Sequence, residues 1–595
     1  MANKGRSWGR EGLRIASIAV LVGAAISYGG SVVSSVLWLN LPLARLEVPR
    51  ESDPSDVLPA RPGDLRGHNL VLVTFDTTRP DRLGFYGNQA IQTPNLDRLA
   101  NEGIVFSNAL ATTSTTLPTH ASILTGLYPH RHGARVNSRN HLPTSVPTLA
   151  EILKAEGYRT AAFVSVFVLD AKFGLDQGFD HYDAQTDQRG VFNGYFERSA
   201  ARTTQAALAW LERNRKRPYF LWVHYFDPHT PYQAAIQFEE ATANLYDAEI
   251  AATDYQLGRL LSAVEEDEKS RSRETLVVVT ADHGEALGEH GEQVHGFLVQ
   301  EATLRIPLVI YATEGLARGR HVPTRVSQVD LLPTLASLLG ATPPADIDGV
   351  DLTQPVDPGR AILGEAVYGQ AHFNWAPISA IYRDRWKYVA SPNPELYDLE
   401  QDPLERNNLV ESHPLEAAAL ALALREQRGP AADLMPAATV DLEPAEIAAL
   451  RALGYLASEQ PPRETPPANT SAVLPSVSAA PPAGEATRQA LDPKTMLPLF
   501  NTLGDILVGM DGYETHSPLK RSFLQAVGGP LFKDRAELIA GLEEFRSEHP
   551  DFAPVYAALA ENYETAGRTE DAARATERFT ELISRGHPPA GGEFR

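Results

Sequence analysis

A chain of 595 residues is too long for one hydrophobic core, so two or more folded units are expected. Its 43% hydrophobic and 22% charged content is that of a globular protein, and its formal net charge of -22 argues against a nucleic-acid partner, because affinity for a phosphate backbone comes from an excess of Lys and Arg. With Cys 0 there are neither disulfides nor thiolate metal sites. An anionic substrate must therefore be drawn by local positive charge, most simply a bound metal.

In chain order, residues 1–14 form a basic segment with Lys4, Arg6, Arg10 and Arg14, followed by an uncharged run over residues 15–39. About 20 apolar residues cross the roughly 30 Å hydrocarbon layer, and the positive-inside bias puts the N-terminus in the cytoplasm. The expectation is a single membrane anchor with the rest of the chain exported, extracytoplasmic and periplasmic if the source is bacterial. A cleaved signal peptide is the competing reading, although no clear small-x-small cleavage site follows. Residues 40–66 carry Pro42, Pro49, Pro54, Pro59 and Pro62 among charges and read as a tether.

Asn69 to Phe75 is a nearly continuous apolar run ending at Asp76, the pattern of a central parallel strand covered on both faces. Thr93-Pro94 opens a helix that Gly103 closes, and Val146-Pro147 opens another that ends at Gly157. Strands follow at 160–166, 219–226, 276–280 and 307–311, then a Leu-rich helix over 330–339. Helices interleaved with apolar strands predict an α/β domain over 67–412, its mostly parallel sheet sandwiched by helices. Residues 413–456 read as a helical extension with an amphipathic stretch from Glu443 to Leu456, and 457–490 as a Pro/Ala/Ser linker that cannot bury enough apolar surface to order itself. Residues 491–595 form a small helical domain, in which Ala553 to Ala560, Tyr563, Gly567 and Ala572-Ala573 resemble one tetratricopeptide helical pair. A lone repeat cannot bury its own face, so it must pack on neighbouring helices or on a protein partner.

Three clusters of acids and imidazoles directly follow these strands, at the edge where open α/β sheets bind ligands. The first is Asp76. The second is Asp282-His283-Gly284-Glu285, which offers one oxygen and one nitrogen ligand with glycine to let the backbone pass close to an ion. The third is Phe226-Asp227-Pro228-His229-Thr230-Pro231-Tyr232, where His229 leaves its strand and could steady a leaving-group oxygen, donate a proton or bind a second ion. His224, inside that strand, reads as a satisfied core histidine. Thr116 precedes a helix whose free amides would aim at a substrate anion.

In Thr115-Thr116-Leu117-Pro118-Thr119-His120-Ala121 and the later Leu124-Thr125-Gly126, the chain resembles the sulfatase signature Cys/Ser-x-Pro-Ser/Thr-Arg. The resemblance covers about 67–410 in chain order and includes Thr93 to Ala100, Tyr128 to Gly133 and Leu396 to Pro403. It implies the α/β fold of the alkaline phosphatase superfamily and a metal-dependent ester hydrolase. Phosphatase members of that superfamily build a metal site from two carboxylates, a histidine and the nucleophile's oxygen, which here implies Asp76, Asp282, His283 and Thr116. One or two divalent ions are implied; zinc or manganese suits the mixed oxygen and nitrogen set, and calcium is less favoured because Thr77 stands where sulfatases usually add a second acid. His295, spaced after Asp282-His283 as in phosphoethanolamine transferases, joins His229 and His120 as a substrate contact, and His229 and His295 with Thr116 as catalytic residues.

The departures bear on the substrate. A threonine offers no route to the formylglycine aldehyde of sulfatases, His120 stands in place of their arginine, and the Lys and His expected after Gly157-Tyr158-Arg159-Thr160 are absent. The expectation is therefore cleavage of an anionic phosphate ester, phosphodiester before monoester, through a metal-activated threonine. The alternatives are a sulfuric ester hydrolase working without formylglycine and a catalytically silent scaffold.

Overall fold

A computed structural model describes residues 57–137, 139–186, 197–214, 216–232, 236–239, 242, 244–271, 273–429, 440, 491–501 and 535–584. The expected anchor (15–39), the linker (457–490) and the amphipathic stretch 443–456 lie outside these residues. Among the described residues no helix is long and apolar enough to cross a membrane.

The strands are β1 (Asn69–Phe75), β2 (Ile104–Phe106), β3 (Ala109–Leu110), β4 (Arg159–Phe163), β5 (His181–Asp183), β6 (Tyr219–Tyr225), β7 (Thr275–Ala281), β8 (Arg305–Ile306), β9 (Leu308–Ala312), β10 (Arg320–Val322), β11 (Val326–Ser327), β12 (Ile362–Ala366), β13 (Ile378–Arg383), β14 (Trp386–Ala390) and β15 (Glu395–Asp398). Eight of them form the main sheet, in the order β10-β2-β9-β7-β1-β6-β4-β5. β1 is central and parallel to both neighbours, β6 and β7. The apolar run near 307–311 is the exception to the parallel expectation: β9 runs antiparallel to β7 and β2. Pro307, which has no N–H for a ladder, separates β9 from β8.

The continuous apolar runs are explained by cover on both faces. Leu70, Leu72, Phe220, Trp222, Leu276 and Val278 face one core with Leu117 and Leu124 of the helix Thr116–Thr125 and Leu331 and Leu335 of the helix Leu331–Leu338. Val71, Val73, Leu221, Val223, Val277 and Val279 face another, closed by Leu96 and Leu99 of Pro94–Glu102, Leu211 of Ala200–Asn214 and Leu257 of Leu245–Arg271. Each such Leu or Val contributes about 1.5–3 kcal/mol by leaving water. The helix expected from Val146 begins instead at Leu149. Thr148 accepts the Glu151 N–H and Glu151 returns the bond to Thr148 N, a reciprocal cap that overrides the upstream proline.

A second, antiparallel sheet, β12-β13-β14-β15, carries the helix Pro414–Arg428 on one face through Leu363, Ile381, Leu396, Leu420 and Leu424. Helices Arg535–Glu548, Ala553–Thr565 and Thr569–Ser584 occupy the C-terminal region, and residues 493–501 form a further helical stretch of about two and a half turns.

Candidate active site

Asp76 and Asp282 leave the C-terminal ends of adjacent strands β1 and β7, and both are fully buried. Asp282 Oδ1 accepts from Thr77 N at 3.1 Å and His283 N at 2.7 Å, which fixes the carboxylate and leaves Oδ2 without a partner. His283 donates Nδ1–H to the Gly284 carbonyl at 2.9 Å, so its Nε2 carries the lone pair. That nitrogen lies 3.5 Å from Asp282 Oδ2 and 4.0 Å from Asp76 Oδ1. The three side chains offer ligand atoms that all lie within 4.8 Å of one another. Gly284 makes the turn possible, since a Cβ there would sit 2.1 Å from the Ala302 carbonyl oxygen. Thr77 is held in the left-handed region at φ 49° by three bonds: its N–H to Asp282, its hydroxyl to Pro228 O at 2.8 Å, and its carbonyl from Tyr246 OH at 2.6 Å.

Thr116 opens its helix with Oγ1 buried and unpartnered. One turn on, His120 donates Nδ1–H to Thr116 O at 2.8 Å and approaches Asp282 Oδ2 to 4.0 Å, so its ring joins the Thr116 backbone to the acid cluster. Its Nε2 meets Thr74 Oγ1 at 3.0 Å, and that hydroxyl accepts from Trp222 Nε1 at 3.1 Å. Both ring nitrogens of His120, the expected substrate contact, are thus engaged by the protein. So is a helix amide: Leu117 N–H is taken by Asn137 Oδ1 at 2.8 Å, rather than left for an anion.

His229 and His295 meet beside this cluster. Their ring centroids are 5.0 Å apart, and His295 lies 4.5 Å from His283. His229 donates Nδ1–H to Thr230 O at 2.5 Å and stacks on Phe226, and burial pushes its pKa down to about 3. His295 Nδ1 contacts Glu285 Oε1 at 2.9 Å, and Glu285 Oε2 accepts from Tyr232 OH at 3.2 Å. Burial also holds His295 well below the usual imidazole range, so both rings are neutral bases rather than cations.

Two residues of the cluster escaped the sequence reading. Glu285 was in view as part of Asp282-His283-Gly284-Glu285, but nothing local tied it to His295. His224 was read as satisfied; the structure puts its Nε2 3.3 Å from Asp76 Oδ2 with no hydrogen bond, while Nδ1 accepts from Ser165 N at 3.4 Å. The missing signal is register: His224 pairs with Thr74 across β6 and β1, two residues before Asp76.

The donor set fits a divalent cation. Asp76 Oδ1 and Oδ2, Asp282 Oδ2, His283 Nε2 and Thr116 Oγ1 are all buried and unpartnered. Burial first, then Asp282 and Glu285, pushes the Asp76 carboxyl well above its usual range. Among the described residues no ammonium or guanidinium pairs with Asp76 or Asp282. Unpaired acids of this kind are costly unless a cation compensates them.

Acids and an imidazole at the carboxyl edge of a doubly covered α/β sheet, beside a hydroxyl at a helix start, define a hydrolase of the alkaline phosphatase type. Residues 68–341 match the sulfatase family model and 288–428 the model described as N-sulphoglucosamine sulphohydrolase, C-terminal. The domain over 68–428 therefore belongs to the sulfatase family of hydrolases. It is 28% identical over 408 residues to the ulvan-active sulfatase of Formosa agariphila, covering 58% of this chain and 77% of that protein. In fold it is similar to a protein solved with its substrate D-glucosamine-2-N,6-O-disulfate, at TM-score 0.55 and 22% identity over 62% of this chain and 99% of the other. The phosphonate monoester hydrolase of Agrobacterium radiobacter is similar at TM-score 0.50 and 22% identity, over 63% and 100%.

Proposed function

We propose that the chain is a metal-dependent hydrolase or transferase of phosphate esters, phosphodiesters in preference, with Thr116 as its nucleophile. The observation that carries this reading is the buried, unpartnered Thr116 hydroxyl, whose own backbone carbonyl is tied through His120 to the acid cluster, His120 Nδ1 lying 2.8 Å from Thr116 O and 4.0 Å from Asp282 Oδ2. Asp76, Asp282, His283 and Thr116 would hold the cation, zinc or manganese before calcium, which when bound lowers the pKa of the hydroxyl and neutralises developing charge. The Thr116 Oγ1–phosphorus bond forms as the bond to the leaving oxygen breaks. The hydroxyl proton passes to the leaving oxygen through His229 or His295, each of which carries its lone pair on Nε2. Water or an acceptor hydroxyl then cleaves the phosphothreonine and returns a proton to Thr116. His120, Thr77 and Asn137 orient this set without touching substrate.

The test is purified full-length protein, its bound metal measured, assayed on aryl sulfate, phosphate monoester and phosphodiester with and without Thr116→Ala. Full turnover in the substituted protein would remove Thr116 as nucleophile. The sulfatase relative favours a second reading, sulfuric ester hydrolysis without formylglycine, which aryl sulfate turnover exceeding phosphate turnover would establish. The basic residues before the uncharged run 15–39 support a membrane-anchored, extracytoplasmic enzyme. Recovery of the protein in the soluble fraction would count against the anchor. The helical C-terminal region offers a surface for a protein partner.

A further inference from the structure

Residues 491–501 return to the catalytic domain at the loop that carries His295. At the near end of the segment, Ala376 N donates to Leu491 O at 2.8 Å, Asp492 Oδ2 accepts from Asn393 N at 3.1 Å and from Asn393 Nδ2 at 2.8 Å, and Lys494 Nζ meets Glu395 Oε1 at 2.9 Å. At the far end, Phe500 enters a cluster of rings, 4.9 Å from Phe297, 5.6 Å from Phe373 and 6.2 Å from Trp375. Asn501 Nδ2 donates to Gly291 O at 2.6 Å. Both far-end contacts fall on the 288–298 loop, one on each side of His295.

From that loop the packing runs directly to the nucleophile. Phe297 lies edge-on to Tyr368 at 5.0 Å, and a Cβ on the intervening Gly296 would find Tyr368 at 3.7 Å and Thr115 Cγ2 at 3.8 Å. Ser114 Oγ donates to Leu298 O at 3.2 Å, two residues before Thr116. Within the loop, Glu292 Oε1 gathers Phe297 N at 2.8 Å and Leu298 N at 3.3 Å. The loop has only the short 3-10 turn Glu289–Gly291 and the bonds of Val294 O from Ala286 N at 2.7 Å and Glu292 O from Gly288 N at 2.8 Å to fix it, so what packs on Gly291 and Phe297 adds directly to the placement of His295.

We propose that residues 491–501 are a docking arm whose Phe500 and Asn501 position the His295 loop against Thr115-Thr116, so that part of the C-terminal region belongs to the active site of the same chain. Phe500 and Asn501 are positioning residues and touch no substrate. The catalytic consequence rests on the reading of His295 given above; the structural consequence does not.

The test uses the full chain. Phe500→Ala is expected to raise amide exchange at 288–298 by about tenfold, the equivalent of about 1.4 kcal/mol of local opening. It should lower kcat by about ten- to a hundredfold with KM little changed, as expected when a reacting group is displaced by about 1 Å. Phe500→Leu should recover most of both effects, and Asn501→Ala, which removes one hydrogen bond and leaves the aromatic cluster whole, should give a smaller loss with the same pattern. Unchanged exchange at 288–298 in both Phe500→Ala and Asn501→Ala would overturn the proposal, as would exchange rising equally across the whole domain. Exchange raised at the loop while Phe500→Ala and His295→Ala both keep full turnover would leave the docking standing and remove His295 from catalysis.

Discussion

Thr116 is a buried hydroxyl with no partner, and an unsatisfied buried polar group costs about 1–3 kcal/mol. Removing it should therefore leave the fold as stable as before or slightly more so. Thr116→Ala is expected to lower turnover by about 10³-fold or more with an unchanged or raised melting temperature in metal-free protein, a pair of outcomes that separates a nucleophile from a structural threonine. Asp76 tests the cation from the other side. Its carboxyl is crowded by Asp282 and Glu285 in a buried setting, so Asp76→Asn relieves repulsion in metal-free protein but removes a ligand from the loaded one. Melting with and without chelator should show the substituted protein more stable than the parent when stripped, and less stable when metal is present.

At the scale of elements, the helix that opens at Thr116 is held by its neighbours more than by its own sequence. The Asn137 side-chain Oδ1 caps Leu117, and the loop bearing Asn137 is anchored by Arg135, whose guanidinium makes a two-pronged bond to Glu365 on β12 at 2.7 and 2.8 Å. Both partners are almost fully buried, and Glu365 also bridges to Thr113. Glu365→Ala removes the two-pronged carboxylate partner of a buried guanidinium and should cost about 3–5 kcal/mol in urea unfolding, along with turnover, because it loosens the strand that bridges to Thr113. The His295 loop carries its own pH dependence. Burial pushes the Glu292 carboxyl up to about 8 despite its bonds from Phe297 N and Leu298 N. The unfolded chain ionises this group near the ordinary carboxylate range, while the folded one keeps its proton, so stability falls as pH rises from there to about 8 and then levels off. Glu292→Gln should flatten that fall, gaining on the parent by about 1 kcal/mol per pH unit across the window, read by denaturation at pH 5 through 8.

For the whole molecule, the unpaired acids of the site would make the proposed metal binding a contribution to folding. A ligand that binds only the native state at 100 to 1,000 times its dissociation constant stabilises by about 2.7–4.1 kcal/mol. Stripping the metal should therefore lower the melting temperature by several degrees, and restoring zinc or manganese should recover it together with turnover. With a net charge of -22 the chain as a whole repels anionic substrates, so the same loss of metal should raise KM more steeply at low ionic strength than at high.

The positions of strands β1, β4, β6 and β7 along the chain are legible in the apolar runs, because a strand buried on both faces must be apolar throughout. Asp76, Asp282, His283 and His229 are legible for the same reason: each follows such a run, and the carboxyl edge of the sheet gathers them. Side-chain chemistry and periodicity are local properties, so the chain by itself pointed to these four groups at that edge, though not to Glu285 or His224 beside them. Only the tertiary structure decided that His224 turns toward Asp76, that both nitrogens of His120 are taken within the protein, that β9 runs against its neighbours, and that residues 491–501 reach the His295 loop. Each of these depends on strand register or on contacts between segments up to some 200 residues apart, and such pairings are chosen by the packing of whole layers, which no short window of sequence contains.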